Sequence, residues 1–219
     1  MSERCPLTRI VLASASPRRL ELLRSLGLHV DVVPSGYHEP DSPHLWPAEL
    51  ASAHAREKLS AAKSKIGASA VPVVSADTVV DVDGVALNKP AGPADAIRML
   101  QTLSGREHRV HTAFAVGVPD GRTLEERSTT LVRFHRLSAD EIAEYVATGE
   151  PLDKAGAYGI QGLAAALVES IQGDFYTVMG FPLGAFIRAL RRLGFSLSPH
   201  AMQASRGGLE KPAAKNRAT

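Results

Sequence analysis

Apolar residues in this chain switch repeatedly between two spacings. Short β-branched runs predict strands, and runs with apolar positions every third or fourth residue predict helices. TRIVLAS (residues 8–14) reads as a strand, and the leucines at 20, 22, 23 and 26 in RRLELLRSLG predict an amphipathic helix behind it. His29 to Ser35 reads as a second strand, and the Pro-rich GYHEPDSPHLWP as a loop. A long helix is predicted over AELASAHAREKLSAAKSKIG. PVVSADTVVDVDGVAL is strand-like, with Asp83-Gly84 marking a hairpin turn. PADAIRMLQTLSG reads as a helix, and HRVHTAFAVGV and STTLVRFHRL as strands flanking a second Asp-Gly turn at Asp120-Gly121. SADEIAEYVATGEP predicts a helix opened by a capping box, Ser138 with Glu141, and stopped at Gly149 before Pro151. A strand, a turn and a helix start follow in LAAALVESIQGDFYTVMGFP, and PLGAFIRALRRLG is the closing helix. Hairpins and crossovers both occur, so the expected class is α/β with a mixed sheet.

Composition changes this picture little. The chain has 219 residues, 44% hydrophobic and 22% charged, enough for one domain over about residues 1–200. No apolar run is long enough for a membrane span, and MSERCPLTRI lacks the apolar core of a secretory leader. A single cysteine, Cys5, excludes an internal disulfide and fits a reducing cytoplasm. The net charge of +2 sits in the tail: Arg206, Lys211, Lys215 and Arg217 face only Glu210, which leaves the body at −1. No duplex-binding surface is implied, so neither specific nucleic acid nor membrane is an expected partner. Residues 201–219, rich in Gly, Pro, Ala and Lys, read as a disordered basic tail.

Candidate chemistry begins at LASASPRRLELL. Ser16 is a natural N-cap and Pro17 a natural first helical residue, which puts Arg18 and Arg19 in the first turn. That end of a helix is positive and favours acidic residues, so two cations there ask for an anion. In VVSADTVV, Asp77 and Thr78 interrupt a buried-looking strand: either a strand end, or a carboxylate with a cationic partner. Lys89 in LNKPAG is a solvated loop lysine or a ligand contact. Lys154 and Gln161 lie in the glycine-rich DKAGAYGIQG, a plain connection or a segment that lets backbone approach a ligand. Taken together these features make an anion site with a carboxylate for a divalent metal. Nucleotide-binding Gly-Lys-Ser and G-x-G-x-x-G motifs are missing, no zinc signature occurs, and His108 and His111 read as structural.

LASASPRRLELL, SADTVV, NKP, TLSGREHRVHTA, GEPLDKAGAYGIQG and VESIQGDFYTVMGFPL, in that order and spacing, closely resemble the Maf family of nucleoside triphosphate pyrophosphatases over about residues 8–193. The resemblance implies a fold related to the inosine-triphosphate pyrophosphatases, two lobes round a central cleft, and a homodimer. It implies that Asp77 is the catalytic acid residue, with Lys58 and Lys89 assisting. It places Ser14, Arg18, Arg19, Thr78 and Gln161 on the substrate, and Glu39 with Asp77 on a Mg²⁺ or Mn²⁺ ion. The I-Q-G motif resembles the branch that prefers dTTP and UTP. Two positions depart from the family pattern: His38 stands where an acidic neighbour of Glu39 is common, and YTVMGFPL replaces the V-G-L-P version. The implied reaction is hydrolysis of a nucleoside triphosphate to monophosphate and pyrophosphate, a house-cleaning role. The alternatives are a broader or purine-biased pyrophosphatase and a binding protein that regulates septation.

Overall fold

A computed structural model describes residues 4–40, 42 and 44–197, so the expectation for the 201–219 tail lies outside the described residues. The elements run β1 (Cys5–Leu7), β2 (Arg9–Leu12), α1 (Pro17–Ser25), β3 (His29–Val32), α2 (Pro47–Ile66), β4 (Val73–Val82) and β5 (Val85–Leu87). They continue α3 (Pro93–Leu103), β6 (Glu107–Gly117), β7 (Thr123–Phe134), α4 (Ala139–Ala147), β8 (Val168–Gln172), α5 (Phe175–Met179), α6 (Leu183–Arg192) and β9 (Phe195–Leu197). Short 3₁₀ turns, Glu150–Asp153, Ala155–Ala157 and Gly162–Leu167, fill the space between α4 and β8.

The main sheet has the order β3-β2-β4-β6-β7-β8, with β5 added to β4. β2 runs parallel to β3 and β4, while β4, β6, β7 and β8 pair antiparallel, so the sheet is mixed as the alternating pattern predicts. β4 is buried on both faces, which explains its nearly unbroken apolar run. Its odd-numbered residues meet α2: Val73 packs with Leu59 and Ala62, Val79 with Leu50 and Ala55, and Ser75 Oγ donates to the Ala55 carbonyl at 2.5 Å. Its even-numbered residues face the other side and divide between two cores. Val74 and Ala76 join Phe114, Phe181 and Phe186 beneath α1 and α6, whereas Val80 and Val82 join Leu100, Phe134 and Tyr158 beneath α3 and α4. Thr78 stands at the seam.

The register leaves a gap beside β4. On that edge β2 pairs only with Val73 and Val74, and β5 pairs only from Val80 to Val82. Residues 75–79 pair with β6 alone. The C-terminal end of β2 and the N-terminus of α1 both arrive at this gap, the usual place for a ligand in a sheet with parallel strands.

Some elements differ from the sequence expectation. β3 stops at Val32, because β2, its strand partner among the described residues, runs just from Arg9 to Leu12. β7 begins at Thr123, not at Ser128: the polar TLEERS has no apolar signal, but β6 extends it residue for residue. The helix from Ser138 ends at Ala147, and Pro151 lies inside a separate 3₁₀ turn. β1 and β9 form a small parallel pair between the first and last described strands, with no local pattern to announce it.

Candidate active site

A cleft of about 640 Å³ opens at the gap, within the range of small-ligand sites. Its walls come from residues 13–19, the 34–40 loop, α2, β4, the Asn88-Lys89 turn and the 153–161 segment.

The floor is an ionic cluster. Asp77, on the α2 face of β4, is 5% exposed, and Lys58 on α2 donates to its Oδ1 at 2.6 Å. The same ammonium meets Glu39 Oε1 at 2.5 Å. Lys58 lies on the apolar stripe of α2, in line with Ala51, Ala55 and Ala62, and is itself 7% exposed. A buried ammonium needs partners, and two carboxylates supply them. Glu39 comes from the Pro-rich loop, which is laid along α2 by successive contacts. Lys65 Nζ donates to the Pro34 carbonyl at 3.2 Å, and Tyr37 Oη lies 3.4 Å from His54 Nδ1. Half-burial works against the Glu39 charge, but the Lys58 hydrogen bond and the charges of Lys58, Lys89 and His54 outweigh it. Its carboxyl therefore sits below the usual glutamate range.

The two first-turn arginines have different partners. Ser16 caps α1, accepting from the Arg19 N–H at 3.5 Å. The Arg19 fork is spent on the protein: Nε donates to the Gly180 carbonyl at 2.9 Å, Nη1 to Ser14 Oγ at 3.2 Å and Nη2 to Thr78 Oγ1 at 3.1 Å. Burial pulls its guanidinium below the ordinary arginine value, with Asp77 and Glu39 pulling the other way. Thr78 is also engaged with Thr112 at 2.9 Å, and Thr112 donates to the Thr177 carbonyl at 2.7 Å. Arg19 thus ties α1, β4 and the turn after α5 together across the seam. Arg18 lines the cleft, and its guanidinium makes no hydrogen bond to another described residue. Lys89, exposed on the opposite wall, likewise has none. Lys154, by contrast, is held by the Glu150 carbonyl and by Asp153 at 2.7 Å.

Gln161 stands at the rim, exposed, at the start of the 3₁₀ turn Gly162–Leu167, and its amide caps none of that turn's N–H groups. Every residue named from sequence therefore lines one cleft: Ser14, Arg18, Arg19, Glu39, Lys58, Asp77, Thr78, Lys89 and Gln161. His54 and Tyr37 were not among them. A histidine within the apolar stripe of α2, one turn before Lys58, was the signal available. His108 and His111 have the structural environments expected: His108 Nε2 meets Tyr158 Oη at 2.7 Å, and His111 bridges Asp81 at 3.1 Å and Thr129 at 2.9 Å.

A helix N-terminus, cations and paired carboxylates round a gap in a mixed sheet define an α/β protein whose cleft is built for a polyanion. The chain belongs to the Maf-like protein family, whose model matches residues 9–193. A dTTP/UTP pyrophosphatase of Methylobacillus flagellatus is 47% identical over 195 residues, covering 87% of this chain and 96% of the relative. One from Moorella thermoacetica is 49% identical over 178 residues, covering 81% and 91%. One from Thermococcus gammatolerans is 46% identical over 190 residues, covering 86% and 98%. Among solved structures, a HAM1 protein from Coxiella burnetii overlaps 86% of this chain and 97% of its own at 18% identity, with a TM-score of 0.44.

Proposed function

We propose that this chain is a nucleoside triphosphate pyrophosphatase that converts UTP and dTTP to the monophosphate and pyrophosphate. The observation that carries the reading is the Asp77–Lys58–Glu39 cluster at the floor of a cleft whose walls hold two cations, Arg18 and Lys89, with no side-chain hydrogen bond to a described residue. Close relatives named as dTTP/UTP pyrophosphatases over almost their full length support the substrate class.

Asp77 orients the attacking water and takes its proton at a carboxylate oxygen. Arg18 and Lys89 offer their free N–H groups to the phosphates, and Lys58 adds positive charge beside the reacting centre as charge builds on the departing pyrophosphate. Arg19 holds the α1 N-terminus in place, and Ser14 shares that loop. Thr78 acts through Arg19, which leaves the free amide of Gln161 to read the base edge.

A divalent cation, Mg²⁺ or Mn²⁺, fits Glu39 and Asp77. Lys58 contacts Glu39 through Oε1 and Asp77 through Oδ1, which leaves the second oxygen of each, and two carboxylates are what Mg²⁺ takes from a protein when phosphate oxygens and water complete its shell. When bound it would polarise the phosphoryl oxygens.

The proposal includes a cytoplasmic homodimer, in keeping with the family resemblance and the single cysteine; no helix among the described residues is long and apolar enough to cross a membrane. The test is pyrophosphate release by the purified protein with Mg²⁺ from UTP, dTTP, CTP and the purine triphosphates. UTP and dTTP should exceed CTP in kcat/KM by about threefold or more, because an ordinary hydrogen bond is worth about 0.5–1.5 kcal/mol net. Equal rates on all substrates would favour the broad-diet reading, and no release from any would favour the binding-protein reading.

A further inference from the structure

Gln161 can select a base only if its amide is held in one orientation, because glutamine can flip to suit either edge. Its own surroundings do little of this: it is exposed at the rim and is followed by Gly162 at φ +77°. Two residues outside the cleft lining restrain the backbone that carries it. The Glu150 carboxylate reaches the turn after Gln161, where Oε2 accepts from the Leu163 N–H at 3.1 Å and Oε1 from the Ala164 N–H at 3.5 Å. These are the first N–H groups of the 3₁₀ turn, the ones an N-cap side chain ordinarily satisfies. Gln161 occupies the cap position, so Glu150 spares its amide for a ligand. The carboxylate lies so close that a Cβ at Gly162 would stand 2.9 Å from its Oε2. Glu150 is oriented in turn by Tyr145, which is 5% exposed and donates its hydroxyl to Oε1 at 3.1 Å. One buried tyrosine and one carboxylate thus hold the turn that carries the amide.

We propose that Tyr145 and Glu150 are positioning residues that fix Gln161 and thereby set base selectivity. This rests on the reading of Gln161 as the base-contacting residue. A capping role alone would change stability and leave selectivity untouched.

The experiment measures kcat/KM for UTP and CTP in wild type, Tyr145→Phe, Glu150→Gln, Gln161→Ala and the Tyr145→Phe/Gln161→Ala double variant. Thermal melts report folding in each. Tyr145→Phe keeps the buried ring and loses only the hydroxyl, and Glu150→Gln keeps one acceptor oxygen, so one variant answers if the other fails to fold. Each should lower the UTP/CTP ratio by about threefold or more, the worth of one ordinary hydrogen bond. The kcat for UTP should stay within about twofold of wild type. In the Gln161→Ala background, Tyr145→Phe should lower the ratio no further, since both changes act on one contact. Wild-type ratios in both single clamp variants, with the ratio lost in Gln161→Ala, would overturn the clamp and leave the base reading standing. A full ratio in Gln161→Ala would overturn the base reading and the clamp with it.

Discussion

Replacing Asp77 by asparagine should separate catalysis from folding. The side chain keeps its volume, and the amide oxygen can still accept from Lys58. Breaking a buried ion pair by removing one partner usually costs about 3–5 kcal/mol, because the other charge is stranded. Here it is not stranded: Lys58 keeps Glu39 at 2.5 Å. The change exchanges a charge-assisted hydrogen bond for an ordinary one, a difference of about 1–2 kcal/mol. Turnover should respond far more. Asp77 is the only acidic residue on β4 that lines the cleft, and loss of a general base typically costs about 10²–10⁴ in rate. The assay is pyrophosphate release at saturating UTP beside urea unfolding of the same preparations. Lys58→Met supplies the contrast: it leaves the buried Asp77 carboxylate without its ammonium and should unfold more readily, by about 3 kcal/mol or more. An Asp77→Asn variant that folds and turns over within a few-fold of wild type would refute the reasoning. So would one that loses more stability than Lys58→Met.

Lys89→Ala should raise KM for UTP, and the wild-type KM should climb with salt more steeply than the variant's, since Lys89 is an exposed cation subject to screening; equal salt responses would make it a bystander. Arg18→Ala should raise KM and leave the melting temperature unchanged. Arg19→Ala should lower stability by about 2 kcal/mol or more, because three hydrogen bonds across the seam are lost. Reversed phenotypes would show that the two arginines have been assigned the wrong way round. Burial pushes the His108 imidazole down to about 4. An unfolded chain takes up that proton near pH 6.5 while the folded one refuses it, so stability present above about 6.5 is lost as pH falls toward 4. Between pH 7 and 4.5 the loss from this residue is about 2–3 kcal/mol, and denaturant unfolding of His108→Gln should show that much less acid sensitivity than wild type.

Legibility of the fold followed the range of its causes. α1, α3 and the apolar part of β4 announce themselves through caps, prolines and spacing that act within a few residues. The β1–β9 pair and the first half of β7 do not, since each is extended by a partner and not by its own composition. At the site, Asp77 and Arg18 stood out because each breaks a local pattern. Lys58 also breaks one, a cation within an apolar helical stripe, yet the resemblance to a family and not the spacing brought it forward. The division between Arg18 and Arg19 was invisible in the sequence. It depends on Gly180, brought to α1 only by the packed core. Tyr145 in the last turn of α4 and Glu150 in the 3₁₀ turn after it look ordinary in sequence, and only the return of the chain at Leu163 shows what they hold.

The central claim is that water attacks the α-phosphorus of a pyrimidine triphosphate beside Asp77. Hydrolysis of UTP by the purified protein with Mg²⁺ in ¹⁸O-labelled water, followed by ³¹P NMR, tests it most directly. The label should enter UMP, with unlabelled pyrophosphate as the other product and with the signal lost in Asp77→Asn. Label in pyrophosphate, or UDP with inorganic phosphate as products, would contradict the account.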